Sequence, residues 1–268
     1  MMELLENKVA AVFAANGAIA REVSFALAQN GATVHLSGRN LAAVKQLATE
    51  INQVGGTAIA HQVDATNESE IDAFLTKVVA ETGQLDIAFN GIGLRAHELQ
   101  LGTPSTELPF EKFKEALEVS LGSQFLTSRA AAKHMIAAKS AGTIITLSAS
   151  LSRIKMPFMA GITAACAGIE GMTRVLAAEF GRAGIKVTCL NATALVDTRT
   201  IQETQQLNAK TIGISAQALG EQMKQGYLLG KSPSAKDIGK LAVFLATDTG
   251  ALLNSHVIDA DFGVHSVI

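Results

Sequence analysis

The sequence predicts a doubly wound α/β fold: a seven-stranded parallel sheet flanked by helices, in one domain spanning residues 1–268. Short apolar runs alternate from end to end with longer segments whose apolar residues recur at helical spacing. That is the pattern of strands buried on both faces by crossover helices. Gly31, Gly56, Gly142 and Gly184 stand where a helix must stop before the next apolar run. A chain of 268 residues with 48% hydrophobic content can bury a large core, and no linker interrupts it.

The elements follow in order. "KVAAVFA" is a strand, followed by a helix to Gln29 with Ile19, Val23, Ala26 and Leu27 on one face. "GATVHLS" leads to a helix over Leu41 to Val54, and "GTAIAHQVD" to one over Glu68 to Glu81. "QLDIAFNGIG" reads as the fourth strand, and a long helical pattern runs from Phe110 to about Lys139. "GTIITLSAS" is the fifth strand, a small-residue helix covers about Gly161 to Phe180, and "GIKVTCLN" is the sixth strand. A helix over Ala235–Ala246 and the strand "SHVIDAD" close the pattern. Residues 194–230 are an insertion, polar and Gln-rich from Thr198 to Gly230, with no strand signal. It is either a lid over a ligand crevice or a solvated helical excursion.

Composition narrows the function. A formal charge of -2 gives no electrostatic footprint for nucleic acid or an anionic membrane. With no Trp and one Tyr, the chain lacks base-stacking platforms. "MMELLENK" has no basic region and apolar stretch of a signal peptide, and no window reaches a membrane span. Cys166 and Cys189 make neither a disulfide framework nor metal-ligand spacing, so a cytoplasmic protein without a metal site is expected.

The chemistry centres on "AAVFAANGAIAREV", residues 10–23, a strand feeding a helix through a tight turn of small residues. Such a turn delivers backbone N–H groups to a diphosphate and ordinarily uses glycines, because some positions need φ > 0 and others close approach. Here Ala14, Ala18 and Ala20 stand where glycines are expected.

In order and at matching spacing, the chain resembles the classical short-chain dehydrogenase/reductases, a Rossmann-type family. "VFAANGAIA" sits at that family's TGxxxGxG turn, "HQVDAT" at its adenine-contacting segment, and "LDIAFNGIG" at its LDxxxNNAG strand. "VHLSGRN", "GTIITLSAS", "GIKVTCLNA" and "VIDADFG" match the ends of its second, fifth, sixth and last strands. The resemblance implies a dinucleotide held by Asn16, Gly17, Ala18 and Ile19 in the first turn, Asp64 and Ala65 beside adenine, and Asn90, Gly91 and Gly93 at the fourth-strand turn. NAD-preferring sites end the second strand with a carboxylate, and NADP-preferring sites replace it and add a cation. Gly38 followed by Arg39 therefore points to NADP(H), although Arg39 also reads as a solvated turn residue. A homotetramer or homodimer and an unidentified small-molecule ligand are further implications.

The resemblance stops at the catalytic set. The family's acid/base centre is Tyr-x-x-x-Lys, whose i,i+4 spacing puts both groups on one helix face. The ammonium lowers the phenol's pKa so that it trades a proton near neutral pH. In "ITAACAGIEGMTR" Ile162 stands at the tyrosine and Cys166 at the lysine; Ala149 stands at the serine and Ser120 at the asparagine. Ser148 or Ser150 could replace the hydroxyl after a register shift, and Tyr227 lies at the end of the insertion. Cys166 reads as a reactive thiol or a packed core residue; Arg153, Lys155 and His97 read as site donors or as surface loop residues. Phe13, Ala192 with Thr193, and Asn254 with Ser255 also depart from the family pattern. Two functions remain: a degenerate binding or scaffold protein that does not perform the classical reaction, or an NADP(H)-dependent oxidoreductase with relocated proton transfer.

Overall fold

A computed structural model describes residues 4–93, 96–196 and 198–263. Its sheet has seven parallel strands in the order β3-β2-β1-β4-β5-β6-β7. These are β1 Val9–Phe13, β2 Thr33–Gly38, β3 Thr57–Gln62, β4 Ile87–Asn90, β5 Thr143–Ala149, β6 Lys186–Ala192 and β7 Val257–Ala260. The strand order reverses between β1 and β4, where Phe13 pairs with Asn90. A crevice opens outside the carboxyl ends of the strands at such a switch point.

Alternation along β1 divides the core. Ala10 and Val12 face the layer of α1 (Ala18–Gln29), α2 (Leu41–Gln53) and α9 (Ala235–Ala246), packing with Val23, Leu27 and Ile238. Val9, Ala11 and Phe13 face α3 (Glu68–Thr82), α5 (Ser123–Ala137) and α6 (Ala160–Phe180), against Phe74, Met135 and Leu176. Helix ends follow local chemistry. Asn67 caps α3 by accepting from Ser69 N and Glu70 N, and Ser234 with Asp237 forms a capping box on α9.

The helical pattern expected from Phe110 to Lys139 is interrupted. α4 (Phe110–Ala116) passes through a π turn at Leu117–Gly122 before α5 begins. A Cβ on Gly168 of α6 would come within 2.8 Å of Leu121, so this glycine leaves the notch that receives the widened turn. β4 is shorter than its motif because Asn90 Oδ1 accepts from Ile92 N at 2.8 Å, bending the chain out of the sheet. The insertion folds as α7 (Arg199–Ile212) and α8 (Ala216–Gln225); residue 197 within it lies outside the described residues.

Candidate functional site

A cavity of about 700 Å³ occupies the switch-point crevice, running from Arg39 and Asp64 past the β1–α1 turn to Ile162 and on beneath α7 and α8. At the turn, Ala14 adopts φ 52°, the left-handed conformation that glycine would take without strain. Gly17 N donates to Ala14 O at 3.0 Å, and a Cβ on Gly17 would crowd that same oxygen at 3.3 Å. α1 starts at Ala18 with no side-chain cap. Asn16, Gly17, Ala18 and Ile19 all line the cavity, so the free N–H groups of its first turn open there.

At one end lie Gly38, Arg39, Asp64 and Ala65. A side chain at 38 would meet Val44 Cγ2 at 3.0 Å and Asn16 Oδ1 at 3.1 Å, so the position is closed to a carboxylate without displacing both. Burial pushes the Asp64 carboxyl up, but hydrogen bonds from Thr66 and the Arg39 charge outweigh it and leave the group below its ordinary value. Gly91 and Gly93 form part of the wall. Asn90 is not on it: this buried side chain donates to Thr127 Oγ1 at 2.8 Å and shapes the turn from behind. Gln124 Nε2 ties β4 to β5 through Asn90 O (3.1 Å) and Leu147 O (3.4 Å).

Ser120, Ala149, Ile162 and Cys166 all line the cavity. Burial pushes the Cys166 thiol up, against weaker opposing hydrogen bonds from Ala149 and Ser148, which favours the packed reading over a reactive thiolate. Neither alternative serine offers a free hydroxyl. Ser148 Oγ donates to Cys166 O and is within 3.4 Å of Glu170 Oε1, while Ser150 Oγ donates to Ala192 O at 3.4 Å. Ser120 differs: its buried hydroxyl, held on the π turn, has no hydrogen-bond partner.

The loop candidates separate. Arg153 is drawn off by two carboxylates, Glu170 at 3.4 Å and Asp259 at 3.5 Å, and is not on the wall. Ser152 also donates to Glu170. His97 is exposed and off the wall, whereas Lys155 lines it. Tyr227, near the end of the insertion, does reach the cavity. Its hydroxyl donates to Ala194 O at 3.2 Å, and burial pushes its pKa up.

Sequence reasoning missed the inner face of the insertion. Ile201, Gln205 and Asn208 of α7 and Leu219 and Met223 of α8 cover the crevice. Their signal was helical spacing within a polar segment. The roof is tied down: Thr211 Oγ1 donates to Gly102 O at 2.7 Å, and Gly102 N to Phe158 O at 3.1 Å. Among the described residues there is no cluster of three metal-ligating side chains, and no helix is long and apolar enough to cross a membrane.

This architecture, a parallel sheet with a turn-and-helix crevice at its switch point, is that of the classical short-chain dehydrogenase/reductases. The chain belongs to that family: residues 13–265 match the family described as "Enoyl-(Acyl carrier protein) reductase". It is 28% identical over 267 residues to the uncharacterized oxidoreductase YxbG of Bacillus subtilis, covering 98% of this chain and 93% of that protein. It is likewise 28% identical over 265 residues to the 3-oxoacyl-[acyl-carrier-protein] reductase FabG of Chlamydia muridarum, covering 98% and 100%. The crystal structure of sorbitol-6-phosphate 2-dehydrogenase SrlD from Erwinia amylovora superposes with a TM-score of 0.88 at 25% identity, covering 97% of this chain and 99% of that one.

Proposed function

We propose that this chain binds NADP(H) and a largely apolar small molecule but does not perform its family's tyrosine–lysine proton transfer. One observation carries the reading. Ile162 and Cys166, one helical turn apart on α6, face the cavity where that pair must stand. The chain's one phenol, Tyr227, is engaged with Ala194 O and raised in pKa, so it does not take over the exchange.

The residues present fit the dinucleotide. The uncapped start of α1 suits a diphosphate, Arg39 beside a position 38 that carries no carboxylate suits a 2′-phosphate, and Asp64 suits the adenine amino group. When bound, nicotinamide supplies or accepts a hydride. This chain's own residues orient the ligand and exclude water: Ile162, Ala149 and Cys166 form an apolar wall, and α7 with α8 forms the lid. A second reading, an oxidoreductase with relocated proton transfer, is favoured by the unpartnered Ser120 hydroxyl, which can hold a water at the wall. Self-association is part of the proposal; exposed Phe125 on α5 and Val175 on α6 support it, and light scattering tests it.

The deciding experiment is calorimetric titration with NADPH, NADP, NADH and NAD, wild type against Arg39→Ala. Preference for the phosphorylated pair, lost in the variant, is expected. No heat at millimolar cofactor overturns dinucleotide binding. Carbonyl reduction by the wild type overturns the non-catalytic reading in favour of the second. Reduction gained only by the Ile162→Tyr/Cys166→Lys variant supports it.

A further inference from the structure

The roof of the cavity contains a polar group with nothing polar to bind. Asn208 sits on α7, is 3% exposed, and lines the cavity. Its Oδ1 has no hydrogen-bond partner, and its Nδ2 reaches only the thioether of Met159, at 3.8 Å. The cavity it lines is walled by apolar Met159, Ile162, Leu219 and Met223, with Thr204 and Gln205 one turn away on α7, and neither of these partners its oxygen. A buried amide left in this state costs stability that an isosteric leucine would not, since sulfur is a weak acceptor and the oxygen keeps no partner. Such a group is retained at a binding site when a ligand completes it.

We propose that Asn208 is a specificity-determining residue. It selects, for the apolar pocket beneath α7 and α8, a ligand that carries a hydroxyl, whose hydrogen Oδ1 accepts. Lid position and rigidity support this. The Thr211 to Gly102 bond and the Gly102 to Phe158 bond hold α7 against the segments at 102 and 158, so the amide is pre-positioned rather than waiting on closure. The ligand class is an aliphatic or alicyclic alcohol, with an apolar body against the methionines and leucine. This assignment rests on the small-molecule pocket proposed above and names what that pocket takes.

The test uses two matched pairs of probes, 1-octanol with its methyl ether and 4-tert-butylcyclohexanol with its methyl ether. Binding is measured by calorimetry with and without NADPH. Each ether keeps the oxygen and the apolar body and replaces the donated hydrogen with a methyl group, whose added volume is separated from the lost hydrogen bond by the comparison with Asn208→Leu. Wild type is expected to favour the alcohols about tenfold or more, the loss typical of a buried polar atom left unpaired. Asn208→Leu should erase that preference while its melting temperature stays level or rises, because the leucine leaves no orphaned atom. Asn208→Gln, which keeps an amide, should restore part of the preference. Equal binding of alcohol and ether by wild type overturns the proposal, because a resident water would then be satisfying Oδ1. Preference retained in Asn208→Leu also overturns it. NADPH binding without binding of any probe overturns the ligand class but leaves the cofactor reading standing. Failure of both NADPH and probes to bind removes the underlying pocket reading as well.

Discussion

Acid should destabilise this protein well above the carboxylate range, because two histidines are buried against each other. His35 on β2 and His61 on β3 stack with ring centroids 5.2 Å apart, and His35 Nδ1 lies 3.1 Å from His61 Nε2. Phe74 packs on His61 at 4.9 Å, and His35 Nε2 has no partner. Burial, then the neighbouring His61, push His35 from 6.5 down to about 4; Glu81 pulls the other way and Lys77 reinforces the drop. Burial lowers His61 as well. The folded state therefore holds fewer protons than the unfolded state between pH 6.5 and 4, so stability is full above that window and is lost as pH falls through it. For His35 alone the loss between pH 7 and 5 is about 2 kcal/mol, with roughly 3 kcal/mol lost by pH 4. That corresponds to a drop of about 4–8 °C in melting temperature at pH 5. The carboxyls of Glu50, Asp64, Asp72 and Asp237 lie below ordinary values of 3.8–4.5, so their contributions are lost only at lower pH. Urea unfolding at pH 7 and pH 5 measures the difference. In His35→Leu, which keeps the packing volume and removes one titrating ring, the His35 share should vanish and the smaller remainder should report His61. An undiminished pH effect in that variant, or a flat wild-type profile, refutes the reasoning.

Two further outcomes follow from backbone geometry. Ala14→Gly relieves a left-handed L-residue, worth about 1–2 kcal/mol, against about 0.5–1 kcal/mol of added unfolded-chain entropy. Calorimetry should therefore show a slightly higher melting temperature, together with tighter NADPH binding at the less crowded turn; a lower melting temperature would show that the turn does not need φ > 0. Gly239→Ala places a methyl 2.6 Å from the backbone oxygen of Glu22, where α9 packs on α1, and overpacking of this kind costs about 1–3 kcal/mol in denaturant unfolding.

What the sequence made legible was chemistry carried by near neighbours. The Ser234–Asp237 capping box and the closing Thr247 fix α9 at Ala235–Ala246, as read from the pattern. The strand-to-helix turn was visible because its spacing is local, and Ala14 occupies the left-handed φ that its position demands. What was hidden depends on partners far along the chain. The π turn at Leu117–Gly122 needs the notch at Gly168, and no window around 117 contains it. Arg153 read as a site donor or a surface loop residue because its partners Glu170 and Asp259 come from α6 and β7. The insertion read equally as a lid or as a solvated helix because its cavity residues include Gln205 and Asn208, polar types that ordinarily mark the outside.

Several strained or unsatisfied groups border one cavity, while others, such as Lys139, Ser255, Gln124 Oε1 and Asn191 Oδ1, lie away from it. Ala14 is held left-handed at its edge, Phe158 adopts φ 64° in the segment that braces the roof, and Ser120 and Asn208 leave polar atoms unpaired on its wall. Each strained or unsatisfied group costs on the order of 1–3 kcal/mol, a large share of the roughly 5–15 kcal/mol that holds a domain folded. Substitutions to glycine, alanine or leucine would relieve them one at a time without disturbing the sheet. A crevice that had merely lost its tyrosine and lysine would gain stability from such changes and have nothing to lose. Small residues at the turn, an open volume of about 700 Å³ and two unpaired polar atoms on its wall are the features on which the proposal of a bound ligand rests. On the proposed reading, the altered catalytic positions and the open cleft are parts of one description, which the cofactor titration tests: binding kept, and the classical proton transfer given up.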